Sequence, residues 1–126
     1  MVGLIGGCTV KKPTFMDFIG IWTAEDGCRI TLREDSTCVV ENLNIGILHG
    51  YSKDSFHSFI GKWNVSSVNN TKCEEYNMIV ESDSIYLHES FIISGQGLLK
   101  HTPPWNFFQY IGDPDDLNEY KFRRDH

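Results

Sequence analysis

The sequence lacks any apolar run near the roughly 18 residues that a helical membrane span needs. It has no C-x-x-C pair, which removes the usual frame of a zinc or dithiol redox site. It has no G-x-S-x-G elbow for a serine nucleophile, and its histidines show neither H-x-H nor H-E-x-x-H spacing. No cofactor, metal or enzymatic activity is therefore expected. Positive charge is scarce: 11 Lys and Arg stand against 17 Asp and Glu, a net charge of −6. An acidic surface does not attract polyphosphate, so nucleic acid is not an expected partner. Helical periodicity is missing too; only Thr14 to Phe18 has the makings of one short turn.

What is present is apolar and aromatic. Hydrophobic residues make up 40% and aromatics 13%, enough to build a core and to exclude a disordered chain. At 126 residues this is one domain, here assigned to residues 14–126. Five-residue phrases nearly repeat: FIGIW at Phe18 to Trp22 and FIGKW at Phe59 to Trp63. Each opens a run of strands. Glycine lets the backbone bend or pack closely there, and the wide Trp plugs the interior.

Strand signals follow along the chain. Asp26-Gly27 marks a tight hairpin turn. After it Cys28, Ile30 and Leu32 alternate with Arg29, Thr31 and Arg33, a half-buried strand of period two. Glu34 to Thr37 turns again, and Cys38 and Val40 return inward. Residues 44–58 break the alternation and read as a lid or binding loop. Tyr76, Met78 and Val80 mark the next inward face, then Ile85, Leu87 and Phe91. Glu89 shares that last face, so it is either paired inside or displaced by a bulge. Residues 95–104 form a second irregular stretch, whose prolines exclude a central strand. Trp105 to Gly112 is apolar on both faces, and Tyr120 and Phe122 mark a last strand. About eight short antiparallel strands result. The expected fold is all-β: an up-and-down sheet that forms a closed or partly closed barrel.

The four cysteines are Cys8, Cys28, Cys38 and Cys73. In the hairpin register Cys38 falls near Leu32 or Arg33, and Cys28 near Asn42 or Leu43. That is too far apart for a disulfide, so both read as small core residues, with a bond from either to Cys73 left open.

Ile5-Gly6-Gly7-Cys8 resembles the lipobox of bacterial lipoproteins, in which the cysteine is acylated. Residues 1–13 then read as a signal remnant and polar tether, although no basic residue precedes the short apolar stretch. The resemblance implies a membrane partner through a lipid anchor on Cys8 and a bacterial envelope location, periplasmic or outer-membrane.

Gly20-x-Trp22, Asp26-Gly27, Glu34-Asp35-Ser36-Thr37, Gly61-x-Trp63, Tyr110 to Asp115 (YIGDPD) and Tyr120-x-Phe122 together resemble a group of small, uncharacterised bacterial lipoproteins. Ser36 stands where glycine is usual in that pattern, and Cys38 where an aromatic is common. The Gly-x-Trp opening is also similar to that of lipocalins, which implies a lipocalin-like barrel with Trp22 at its closed end and Arg123 or Arg124 stacked on it. Neither resemblance implies a known activity.

Asp113, Asp115 and Asp116 cluster in one turn, but without the spacing of a calcium loop they read as turn chemistry. The candidate pocket and rim are Trp22, Trp63, Tyr51, His57, Phe107 and His101. His57 lies in the first irregular stretch and His101 in the second, expected to converge at one mouth. Tyr51, Phe56, Trp105, Phe107, Phe108 and Tyr110 are the aromatic excess, mostly core, with any that line a pocket available to a ligand. The expected function is non-enzymatic binding of a small apolar ligand or envelope component. The alternative is a protein–protein module of inhibitor or immunity type.

Overall fold

The computed structural model describes residues 12–50, 53–68, 75–96, 102–112, 115 and 118–125. Eight antiparallel strands close in sequence order into an up-and-down barrel. They are β1 (Gly20–Thr23), β2 (Arg29–Leu32), β3 (Thr37–Asn44), β4 (Phe56–Val68), β5 (Glu75–Ser82), β6 (Leu87–Gln96), β7 (Thr102–Tyr110) and β8 (Glu119–Arg124). A 3-10 turn, Phe15–Phe18, precedes β1, and one four-residue helix, α1 (Ile45–Leu48), follows β3. The hairpin register is as expected, with Leu32 opposite Cys38 and Arg29 opposite Glu41. Cys28 and Cys38 are free and buried.

The Gly-x-Trp phrases have a shared physical basis at the barrel floor. Trp22 donates its indole N–H to the Phe18 carbonyl at 2.8 Å, and Trp63 donates to the Arg33 carbonyl at 2.8 Å. Phe15 stacks on Trp63 with centroids 4.0 Å apart, and Phe18 on Trp22 at 5.5 Å. The 3-10 turn thus seals the floor with one ring per tryptophan. Both glycines keep space open for a neighbour. The guanidinium of Arg124 occupies the position a side chain at Gly20 would take, and a Cβ at Gly61 would collide with the Glu81 carbonyl. Arg124 is the arginine over Trp22, 4.6 Å from the ring centroid. It also donates to the carbonyls of Ile19 and Asp17, which ties the C-terminal strand to the floor turn.

The interior is filled. Phe107 lies 5.0 Å from Trp22, 5.1 Å from Phe122 and 5.6 Å from Phe91, ring centroid to centroid. Ile30, Leu32, Val40, Leu43, Met78 and Val80 are fully buried around these rings.

Three expectations need correction. Residues 44–58 are not one long loop: β3 runs to Asn44, α1 follows, and β4 begins at Phe56. The alternation fades there because this end of β4 stands beyond the packed interior, leaving Phe56 and His57 both exposed. The prolines do not exclude a strand: Pro103 and Pro104, joined by a cis peptide bond, lie in the first residues of β7. The β6–β7 ladder slips between Ser94 and Gln96 at that point, so the missing donors fall at an irregularity. Ile85 is not on a strand but in the β5–β6 turn, where it is exposed.

Candidate binding site

In an up-and-down barrel, connections alternate between the two ends. The β3–β4 and β6–β7 connections therefore lie at opposite ends, and the two irregular stretches cannot share a mouth. His57 is exposed at the mouth, where its Nε2 is 3.0 Å from Ser55 Oγ. His101, Tyr51 and Cys8 lie outside the described residues, as do Cys73, Asp113 and Asp116. Trp22, Trp63 and Phe107 belong to the packed core rather than to a ligand pocket, because their rings fill the interior against one another.

The mouth is held by buried polar groups. Asn44 Oδ1 accepts from the backbone N–H of Ile47 at 3.2 Å and of Ser55 at 3.1 Å, while its Nδ2 donates to Asp54 at 3.1 Å. This one side chain fixes both ends of the α1 connection. Glu89 is paired inside: Gln109 Nε2 donates to Oε1 at 2.8 Å, and His49 Nε2 lies 2.7 Å from Oε2. Tyr120 donates its hydroxyl to Asp26 Oδ2 at 2.6 Å and accepts from the Asn44 N–H at 3.2 Å. Burial drives the Tyr120 phenol well above its ordinary range, and the hydrogen bond to Asp26 adds to the shift.

Among the described residues, cavities open at two places on the barrel surface. One, of about 610 Å³, lies at the β1–β8 seam between Ala24, Asp26, Ile47, Ile111, Tyr120 and Arg123. Several of its polar groups already have partners: Tyr120 bonds Asp26, and Lys121 Nζ, also at this seam, lies 3.6 Å from Glu119. The other, of about 420 Å³, lies between β6 and β7 near their slip. Ile92, Asn106, Phe108 and Tyr110 reach it from the outer face of the sheet, and Ile93 and Trp105 from the inner face. Phe108 meets Tyr110 edge-on at 5.3 Å. Asn106 Oδ1 is buried in this groove with no hydrogen-bond partner, a state that native structures seldom tolerate without a reason.

The aromatics of this groove were visible in sequence as excess; Asn106, Ile92 and Ile93 were missed. The signal was the WNFFQYIG strand with apolar residues on both faces, since only one face of a barrel strand meets the interior.

These features define a closed eight-stranded antiparallel barrel with a solid interior and an aromatic groove in its wall. No family model, curated protein or solved structure matches the chain.

Proposed function

We propose that this chain is a non-enzymatic binding domain that holds a small, mainly apolar ligand with one hydrogen-bond donor in the β6–β7 groove. The observation that carries this reading is the unpartnered Asn106 Oδ1 within an aromatic lining. An orphaned buried acceptor destabilises the fold by about 1–3 kcal/mol, and a ligand donor would recover it. The groove's volume falls within the usual range for small-molecule sites. Among the described residues the two thiols favour no nucleophilic role, since burial pushes Cys28 up to about 12 and Cys38 to about 11, leaving both protonated at neutral pH.

Native mass spectrometry of protein purified from its own cells tests the reading. A retained small mass is expected, lost in Asn106→Leu and in Ser94→Phe, which fills the groove. No retained mass, or a mass indifferent to both substitutions, overturns it. The protein–protein reading is favoured by a separate observation: Phe56, Ile60 and Tyr86 are exposed on the wall and turns, Tyr86 at 95%. We further propose that Cys8 carries acyl chains and tethers the domain to a bacterial envelope membrane. Mass spectrometry of the mature chain checks this, and an unmodified Met1 start would end it.

A further inference from the structure

β1 pairs with β8 as far as Thr23, which lies opposite Arg123. Past Thr23 the chain leaves the sheet: Ala24 N–H donates to the Cys28 carbonyl and Gly27 N–H to the Ala24 carbonyl, closing the hairpin turn. Asp26 on that turn is held by the Tyr120 hydroxyl. β8, by contrast, reaches back to Glu119. Two backbone bonds fix which of its groups face the gap. Asn118 C=O accepts from Ile111 N–H at 2.8 Å, on the β7 side, and Asp125 N–H donates to Ile21 C=O at 2.8 Å, on the β1 side. The register between them is continuous, so alternation puts the N–H and C=O of Glu119 and Lys121 on the β1 side. Neither residue has a backbone partner on that side among the described residues. The space these groups face is the cavity of about 610 Å³, a slot that continues the line of β1 between the hairpin turn and β8.

We propose that this slot binds a short extended peptide with a free C-terminal carboxylate, which pairs with β8 where β1 has ended. The proposal stands apart from the groove between β6 and β7. Direction follows from charge. Thr23 and Arg123 close one end of the slot, so an end of the peptide must sit there. The Arg123 side chain is exposed and has no ion pair or side-chain hydrogen bond among the described residues. A guanidinium takes up a carboxylate through paired hydrogen bonds, so the C-terminus lies at Arg123 and the peptide runs parallel to β8. Glu25, also exposed, stands on the turn two residues past Thr23, where it disfavours an acid away from Arg123. The other charges of the lining are answered within the chain, Asp26 by the Tyr120 hydroxyl and Glu119 by Lys121 Nζ at 3.6 Å. In a parallel register centred on Lys121, its N–H donates to the peptide residue before the centre and its C=O accepts from the residue after. Glu119 C=O accepts one further N–H. The side chains of those two flanking peptide residues turn to the inner face, toward half-buried Ala24, Ile47 and Ile111, so apolar residues fit there. Three extended residues span roughly 10 Å, and the cavity's volume lies within the usual range for ligand sites. A fatty acid would meet Arg123 and the apolar floor but would leave the strand groups of Glu119 and Lys121 unanswered.

Titration of the isotope-labelled chain with the peptide acetyl-Val-Ala-Val, followed by amide NMR signals, tests the proposal. The Lys121 amide is expected to move downfield as it gains a hydrogen bond, and those of Ala24 and Ile47 to shift with it. The amides of Ile92 and Asn106 should stay in place, which separates this slot from the β6–β7 groove. Ending the peptide in a carboxamide should weaken binding roughly tenfold, the effect of losing one charge-assisted contact. N-methylation of its last residue, which removes the N–H that Lys121 accepts, should weaken it as well. Arg123→Gln, an exposed change expected to leave the melting temperature unaltered, should weaken the free acid to the level of the carboxamide and leave the carboxamide as it was. No movement of Lys121 at millimolar peptide overturns the proposal. So does equal binding of acid and carboxamide, an Arg123→Gln chain that binds the acid as tightly as wild type, or a response confined to Ile92 and Asn106.

Discussion

Replacing Cys28 by alanine should make the barrel's stability less sensitive to alkaline pH. Cys28 is 0% exposed, at the foot of the β1–β2 hairpin. Burial, opposed by the Tyr120 hydroxyl and aided by the Asp26 and Glu41 carboxylates, pushes its thiol from 9.0 to about 12. Below pH 9 the thiol is protonated in both the folded and the unfolded chain, and its contribution is fully present. Between about pH 9 and 12 only the unfolded chain ionises, so stability falls by about 1.4 kcal/mol per pH unit. Above the folded value both states are ionised and the fall stops. At about pH 10.5 the loss reaches roughly 2 kcal/mol, or about 1–2 kcal/mol once solvent screening is allowed for. Cys28→Ala lacks this loss, though at neutral pH it is less stable by about 1–2 kcal/mol for the buried sulfur removed. Urea unfolding at neutral pH and near pH 10.5, followed by the fluorescence of buried Trp22 and Trp63, reads both values. The gap between wild type and variant should close or invert at high pH. A gap of the same size at both pH values would refute the reasoning, since every other ionisable group is shared by the two proteins.

Gly61→Ala should lower stability by about 3 kcal/mol, because its Cβ meets the Glu81 carbonyl and must push β4 from β5; a thermal melt within error of wild type would contradict the close approach. Ser36 sits at φ 73°, where glycine is unstrained, so Ser36→Gly should gain about 0.5 kcal/mol after the entropy of the freer unfolded chain is subtracted, seen as a melting temperature about 2 °C higher. Asn106→Leu should raise the stability of ligand-free protein by about 1 kcal/mol, by removing an acceptor that no donor reaches; a destabilised variant in chemical denaturation would show that the amide is satisfied. His49→Ala should cost about 1–3 kcal/mol, because it takes from the buried Glu89 one of its two side-chain partners among the described residues, leaving Gln109, and denaturant midpoints will show it.

The barrel was legible wherever one strand face met the interior and the other met water. Cys28, Ile30 and Leu32 alternate cleanly because β2 is paired on both sides and packed along its whole length. Glu89 broke the inward pattern of β6, and sequence could not separate a bulge from a partner, since His49 and Gln109 are 40 and 20 residues away along the chain. Turns carried by Asp-Gly were readable, but Tyr86 at positive φ was not, because nothing in an aromatic side chain announces that geometry. Phe107 was read as a pocket residue and is core; Phe108, its neighbour, lines the groove. Both are phenylalanine, and only the sheet's facing separates them. Asn106 was silent for the same reason: an orphaned acceptor is a statement about what fails to reach it.

With rings packed through the interior, the cavities described above open where the barrel is irregular, and a regular wall offers little. The irregularities here come from strands of unequal length. β1 has four residues and β8 six, and they meet over just two pairs, Trp22 with Arg124 and Thr23 with Arg123. Glu119 and Lys121 therefore stand beyond the end of β1, and the cavity of about 610 Å³ opens beside them. β4 outruns β5, which has eight residues, so that Phe56 to Ile60 have no β5 partner among the described residues. β6 and β7 slip past one another between Ser94 and Gln96, and the aromatic groove lies at that slip. Core packing is indifferent to these mismatches, because Trp22, Trp63 and Phe107 fill the interior whether or not a neighbouring strand ends early. Substitutions that alter strand ends can thus change what the wall binds while the melting temperature stays put, and substitutions of the central rings should do the reverse.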